Sequence, residues 1–230
     1  MKPLCIAHRG CHWNCYENTV QAFHAAANGN FYGIEMDVHL TKDKKWIIHH
    51  DPEFTSNGRK IIIKKERLSL LTNLSLDNPK NYQAKCPTLD EFFDAIRHSD
   101  KKAIIEIKPK NPSFRNLKKL IKEIKEKFDL NRVVFIAFYP WPLIKLRILL
   151  KKHPVQLLVE KEHLFLIDWA YNFGWDIDVL SSCVNERIVR RFHSKKLKVN
   201  AWTVDDKKEL QRLEKMNVYF ITTNVFDQNS

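Results

Sequence analysis

Glycine is scarce in this chain, with five in 230 residues. None falls in a G-x-G-x-x-G pattern. That removes the phosphate loop which a doubly wound dinucleotide-binding sheet carries after its first strand. Long apolar runs are missing too. None approaches the roughly 18–20 residues of a membrane-spanning helix. The opening "MKPLCIAHRG" has one lysine and reaches polar residues too soon for a secretory leader. A cytoplasmic location is the expectation. Cysteines do not pair off: Cys5, Cys11, Cys15, Cys86 and Cys183 are odd in number and read as free thiols in a reducing compartment. Cys11, His12 and Cys15 of "CHWNC" could each ligate zinc, but no second cluster of the usual spacing follows. Acidic residues are in deficit, 27 against 39 Lys and Arg, for a formal charge of +12. This balance suits phosphate esters, anionic lipid or nucleic acid. Much of the excess lies in residues 101–127. There Phe114, Leu117, Leu120, Ile121, Ile124 and Phe128 recur at helical spacing, so the lysines read as the solvated face of an amphipathic helix. No nucleic-acid-binding module is recognisable.

What is present is an alternation. β-rich runs occur at 4–8, 33–40, 45–50, 103–108, 133–138, 155–160, 178–183, 198–204 and 218–223. Helical patterns lie between most of them, at 17–28, 88–98, 114–128, 142–153, 185–196 and 205–216. Thr88 with Glu91 predicts a capping box, and Asp205 is expected to cap the last helix. Strand–helix alternation implies parallel strands joined by helical crossovers. Eight or so strands in this length predict an α/β fold, a closed (β/α)8 TIM barrel, as one domain over 1–230. An open doubly wound sheet is the competing architecture.

Several of these strands carry ionisable residues where plain buried strands would carry none. Strand side chains alternate faces. In "IEMDVHL", Glu35, Asp37 and His39 therefore share one face, and Ile34, Met36, Val38 and Leu40 share the other. In "IIEIK", Glu106 and Lys108 share a face. Burying such groups costs several kcal/mol unless they are paired or bind a metal. Three convergent carboxylates make a hard, oxygen-rich site that selects one divalent cation, Mg²⁺ or Ca²⁺, over zinc. A metal-free Glu106–Lys108 pair is the structural alternative. His8 and His50, each at a strand end, can divide acid and base roles near neutral pH. Arg9 and Lys108 suit a phosphate, one by its fork and the other as a point charge. The set describes metal-assisted phosphoester cleavage.

With these residues in view, the chain resembles the glycerophosphodiester phosphodiesterase family. "IAHRG" with "ENTVQAF" is similar to the family's opening signature. "GNFYGIEMDVHLTKDKKWIIHHDP" is similar to its E-x-D strand and His-Asp end, "CPTLDEFFDAI" with "IEIKPK" to its E-x-K region, and "KVNAWTVDD" to its late W-T-V strand. The resemblance implies a (β/α)8 barrel that hydrolyses small-molecule glycerophosphodiesters to glycerol 3-phosphate and an alcohol with Mg²⁺ or Ca²⁺. It implies Glu35, Asp37 and Glu106 as metal ligands and His8 and His50 as the acid/base pair. Arg9 and Lys108 would grip phosphate, and Trp202 would line the substrate pocket. Residues 51–87 read as a short cap-like insertion. The chain departs from the family pattern in four places. No Arg follows the His-Asp before Arg59, Tyr16 replaces a Pro, Ala137 stands where a Ser is usual, and "YFITTN" lacks the closing Thr-Asp. A related barrel lyase or phospholipase acting on lysophospholipids or phosphoinositides is the nearest alternative, and a non-catalytic phosphate- or lipid-binding barrel the second. No nucleic-acid partner is expected. Weak attraction of the basic helix to anionic membranes is compatible with its charge. Nothing in the sequence sets an oligomeric state.

Overall fold

A computed structural model describes residues 2–80 and 82–230. In chain order the elements are β1 (Leu4–Ala7), α1 (Val20–Asn28), β2 (Gly33–Leu40), β3 (Trp46–Ile48), β4 (Glu53–Ser56) and β5 (Arg59–Ile62). There follow α2 (Leu68–Leu71), α3 (Leu89–Ile96), β6 (Lys102–Ile107), α4 (Phe114–Lys127), β7 (Val133–Ala137), α5 (Pro140–Leu150) and β8 (Val155–Val159). The last are α6 (Leu166–Phe173), β9 (Asp176–Leu180), α7 (Glu186–Ser194), β10 (Val199–Trp202), α8 (Lys207–Lys215) and β11 (Phe220–Thr223). β1, β2 and β6–β11 pair in parallel in the order β1-β11-β10-β9-β8-β7-β6-β2. The β1–β2 pairing, Ile6 opposite Gly33 and Ala7 opposite Ile34, closes the ring into an eight-stranded barrel. The closed barrel, not the open sheet, is the architecture.

Two apolar layers hold it. Ile34, Met36 and Val38 of β2, Ile105 and Ile107 of β6 and their equivalents pack outward under the helices. Inside, Ile6, Ile104, Ile136, Leu158 and Phe220 form a floor, with Tyr32, Phe138 and Trp202 against it. Gly33 is needed there, because a Cβ would lie 2.4 Å from Ile104 Cδ1.

Several boundaries differ from the sequence reading. The strand expected at 178–183 begins earlier, at Asp176, and Ser181–Cys183 forms a 3-10 turn. Helix α6 has no counterpart among the expected helices: Trp169 and Phe173 set large apolar residues on its exposed side, which masks the buried stripe of Leu166, Ile167 and Ala170. Residues 51–87 hold the antiparallel β4–β5 hairpin and α2, packed through Ile47, Phe54, Ile63 and Leu71. The capping box at Thr88 and Glu91 is present. The last helix is capped by Asp206, which accepts from the Lys208 and Glu209 N–H groups, and not by Asp205. The sequence offers two adjacent aspartates, and only the chain's path into α8 decides between them.

Candidate active site

The site begins where β1 ends. The chain turns through Arg9 and Gly10, both at positive φ (56° and 82°). A Cβ on Gly10 would meet Ala22 at 2.8 Å, so glycine lets the turn lie on α1. Arg9 in this region costs of order 1 kcal/mol, and its contacts over-determine it. Its N–H donates to Glu35 Oε2 (3.0 Å), its guanidinium pairs with Glu17 (2.6 Å), and its Nε lies 3.6 Å from Asp37. The "ENT" stretch divides its work by residue. Glu17 holds Arg9, Asn18 donates from Nδ2 to Asp37 Oδ2 (2.7 Å), and Thr19 caps α1.

β2 and β6 run side by side with Asp37 opposite Glu106. Glu35, Asp37 and Glu106 are all buried, and one oxygen from each lies within 4.8 Å of the others. Lys108 Nζ stands 2.9 Å from both Asp37 and Glu106. Three carboxylates thus face two cations, Arg9 and Lys108. Burial, with Asp37 and Glu106 close by, pushes Glu35 well above the usual carboxylate range. Burial and Asp37 push Glu106 up to about 8. Asp37 goes the other way. Burial alone would raise it, but Lys108 and Arg9 together hold it well below its ordinary value. Glu35 Oε1 is buried without a hydrogen-bond partner. All-oxygen donors, an orphaned carboxylate oxygen and crowded carboxyl groups whose protons a cation can displace fit a hard divalent cation.

The histidines arrive by different routes. His8 follows β1 directly. His50 does not end a barrel strand, as the sequence suggested. β2 runs on past the barrel rim, and short β3 folds back antiparallel along it, Val38 opposite Ile48. The His49 N–H then bonds Asp37 O (3.1 Å), which returns the next residue, His50, to the carboxylates' level. His39 Nε2 meets the His50 carbonyl oxygen at 2.9 Å. Burial and the nearby Arg9 charge pull His8 down to about 4. Burial also lowers His50, whose Nδ1 lies 2.8 Å from Asp51. Asp37 acts on both rings.

Trp202, on the inner face of β10, meets Phe138 edge-on with ring centroids 5.5 Å apart, and donates from Nε1 to Asp178 O (3.1 Å). Phe138 belongs to a cavity of about 430 Å³ that reaches from Glu106 and Lys108 past Tyr139 and Pro140 to Phe165 and Leu166. The structure therefore gathers His8, Arg9, Glu35, Asp37, His50, Glu106 and Lys108 at one barrel mouth, with Trp202 on the interior wall. Sequence reasoning assigned no site role to Glu17, Asn18, His39, Asp205 or Asn224, although His39 was placed on the face of Glu35 and Asp37, Asp205 was expected as a helix cap, and the others lie in the quoted "ENT" and "YFITTN" stretches. Cys11, His12 and Cys15 form no metal-ligand cluster among the described residues.

Residues 8–228 match the model of the glycerophosphoryl diester phosphodiesterase family. A glycerophosphodiester phosphodiesterase of Caldanaerobacter subterraneus subsp. tengcongensis is 32% identical over 97% of this chain and 95% of its own. One from Bacillus subtilis is 27% identical over 97% and 84%. Among solved structures, an Oleispira antarctica phosphodiesterase in complex with the product sn-glycerol-3-phosphate superposes with a TM-score of 0.85 at 20% identity, covering 96% of this chain and 93% of that one. A Thermotoga maritima glycerophosphodiester phosphodiesterase gives 0.78 at 21% identity, covering 97% and 95%. These two structural likenesses bear on the fold.

Proposed function

The chain belongs to the glycerophosphoryl diester phosphodiesterase family, a family of hydrolases, and from that premise we propose that it cleaves glycerophosphodiesters by two-histidine acid/base chemistry beside one divalent cation. The observation that carries this reading is the buried triad of Glu35, Asp37 and Glu106, flanked by Arg9, Lys108 and both histidines. The triad would hold Mg²⁺ or Ca²⁺, which when bound supplies positive charge to the phosphate oxygens.

The residues do the rest. One imidazole takes the proton of the attacking hydroxyl, whether water or the glycerol 2-hydroxyl, and the other gives a proton to the departing alkoxide. Lys108, freed from sharing Asp37 and Glu106, pairs with a non-bridging oxygen, and Arg9 borders the same space. Asn18 and the Arg9 N–H keep Asp37 and Glu35 in place. Trp202 and Phe138 line the wall beside the substrate. The test is hydrolysis of glycerophosphocholine, glycerophosphoethanolamine and glycerophosphoinositol with and without EDTA. Release of glycerol 3-phosphate that EDTA abolishes is expected. Full activity after exhaustive chelation would remove the metal from the reading, and a stable cyclic phosphate product would move the enzyme to the lyases.

One observation favours a second reading, a lysophospholipid substrate. Beside Glu106, Lys108, Glu160 and His163, the cavity presents an apolar side made by Ile107, Phe138, Pro140, Phe165 and Leu166, and Phe165 is 62% exposed. Each methylene buried there would contribute about 0.8 kcal/mol. Preference for an acylated over a deacylated glycerophosphocholine would establish it. The basic face of α4 is proposed to add weak attraction to anionic lipid, and the protein to act in the cytoplasm. Among the described residues no helix is long and apolar enough to cross a membrane.

A further inference from the structure

Asn224 follows β11 and joins four partners across the barrel's closing seam. Its Oδ1 lies 2.9 Å from His8 Nδ1 and 2.9 Å from His12 Nε2. Its Nδ2 donates to Asp205 Oδ2 at 2.6 Å, and its backbone N–H donates to Asp205 Oδ1 at 2.7 Å. Its carbonyl accepts from Trp13 Nε1 at 2.7 Å. Thr223 Oγ1 also donates to Asp205 (3.1 Å).

The two ends of this amide are not interchangeable. Turned over, it would set an oxygen 2.6 Å from the Asp205 carboxylate and lose a charge-assisted hydrogen bond. Asp205 therefore points Oδ1 at the histidines. A carbonyl oxygen only accepts, and its two lone pairs serve two donors. His8 must then carry its hydrogen on Nδ1. His8 Nε2 makes no hydrogen bond to protein among the described residues, so it is the nitrogen left with a lone pair. The same logic explains the residue type. The family resemblance leads one to expect Thr-Asp here, but an aspartate at 224 would oppose Asp205 with like charge. Asparagine accepts toward His8 and donates toward Asp205.

We propose that Asn224, clamped by Asp205, is a positioning residue that fixes His8 as the Nδ1–H tautomer and leaves Nε2 as the resting proton acceptor at the barrel mouth. The proposal rests on the preceding reading of His8 as one of the two proton-transfer groups, but its structural half is measurable without turnover. Long-range ¹H–¹⁵N spectra of the full chain at neutral pH, assigned with His8→Gln, should show His8 protonated at Nδ1 alone. In Asn224→Ala that signature should give way to a tautomer mixture. With metal and glycerophosphocholine, kcat should fall at least about tenfold, part of the roughly 10²–10⁴ that acid–base catalysis supplies, while KM stays nearly unchanged.

The exchange Asn224→Asp with Asp205→Asn keeps every acceptor toward His8 and every donor–acceptor pair between the two side chains. It should restore both the tautomer and kcat, whereas Asn224→Leu, which keeps the side-chain volume but offers His8 no acceptor, should stay as impaired as Asn224→Ala. Nδ2 of the new asparagine donates to the new carboxylate, and its Oδ1 still accepts from Thr223 and the backbone. A wild-type His8 protonated at Nε2, an Asn224→Ala enzyme with unchanged kcat, or a folded exchange variant as impaired as Asn224→Ala would each overturn the proposal. If the tautomer behaves as stated and no variant, wild type included, hydrolyses any glycerophosphodiester, the fault lies with the functional reading and not with the clamp.

Discussion

A carboxyl group buried with two others keeps its proton unless a cation takes the proton's place. Glu106 binds a proton up to about pH 8, whereas the unfolded chain releases it near the ordinary glutamate value. That proton stabilises the metal-free fold fully below the ordinary value, and the contribution is lost as pH rises through about 8. Glu35 is shifted the same way. A divalent cation must displace these protons, so its binding strengthens with pH. The rise in melting temperature on adding Mg²⁺ or Ca²⁺ should be larger near pH 8 than near pH 6, and Glu35→Gln should shrink it at both. A pH-independent rise would mean that the cation binds elsewhere. The histidines give the second prediction at this scale. His8→Ala and His50→Ala should each lose roughly two or more orders of magnitude in turnover. An aryl phosphodiester, whose leaving group needs no proton, should rescue only the variant that lost the acid. The clamp proposed for His8 makes His50 the one rescued.

At the scale of elements, β2 does two jobs because of its alternation. Ile34, Met36 and Val38 seal the helix layer while Glu35 and Asp37 face the mouth. Gly33 at its start admits Ile104 to the barrel floor. Gly33→Ala should therefore destabilise the fold by about 1–3 kcal/mol, the usual cost of overpacking, read as a lower urea midpoint with an unchanged slope. Helix α4 buries Leu117, Leu120, Ile121 and Ile124, and leaves Arg115, Lys118 and Lys122 in solvent. Each such charge near an anionic bilayer adds about 1 kcal/mol. Co-sedimentation with anionic liposomes should be weak at physiological salt and stronger at low salt. Tight binding that survives high salt would show an apolar contribution that this face does not display.

For the whole molecule, the buried histidines and buried glutamates oppose one another in acid. His8 and His49 are each pulled down to about 4, chiefly by burial. Below about pH 6.5 the unfolded chain takes up protons that the fold refuses, so these groups cost stability as pH falls, up to about 1.4 kcal/mol per unit each. In the metal-free protein, Glu106, with Glu35 shifted the same way, already holds a proton that the unfolded chain lacks over most of this range, which offsets the loss. With cation bound they do not hold those protons. The metal-loaded protein should thus lose stability steeply between about pH 6.5 and pH 4.5, and the metal-free protein much less. Urea midpoints with and without EDTA across that range check this.

The sequence by itself determined the barrel and most of the candidate residues. Strand–helix alternation is a local pattern that survives without any tertiary information, and charged residues on otherwise apolar strand faces mark a site because burying them is costly. His8 and Arg9 stood out as ionisable residues at the end of an apolar strand, and motif resemblance then added Trp202, which no periodicity distinguishes. Only the tertiary structure decided how those residues are held. His50 returns to the site on an antiparallel strand because β2 outruns the barrel rim. Asp206 caps α8, and Asp205 is left to grip Asn224, 19 residues later. Asn18 reaches Asp37, and Asn224 reaches His8 across the closing seam. Such contacts join residues far apart in the chain and depend on the angle at which elements meet. Short polar side chains like Asn carry no pattern that announces a partner until the ring closes.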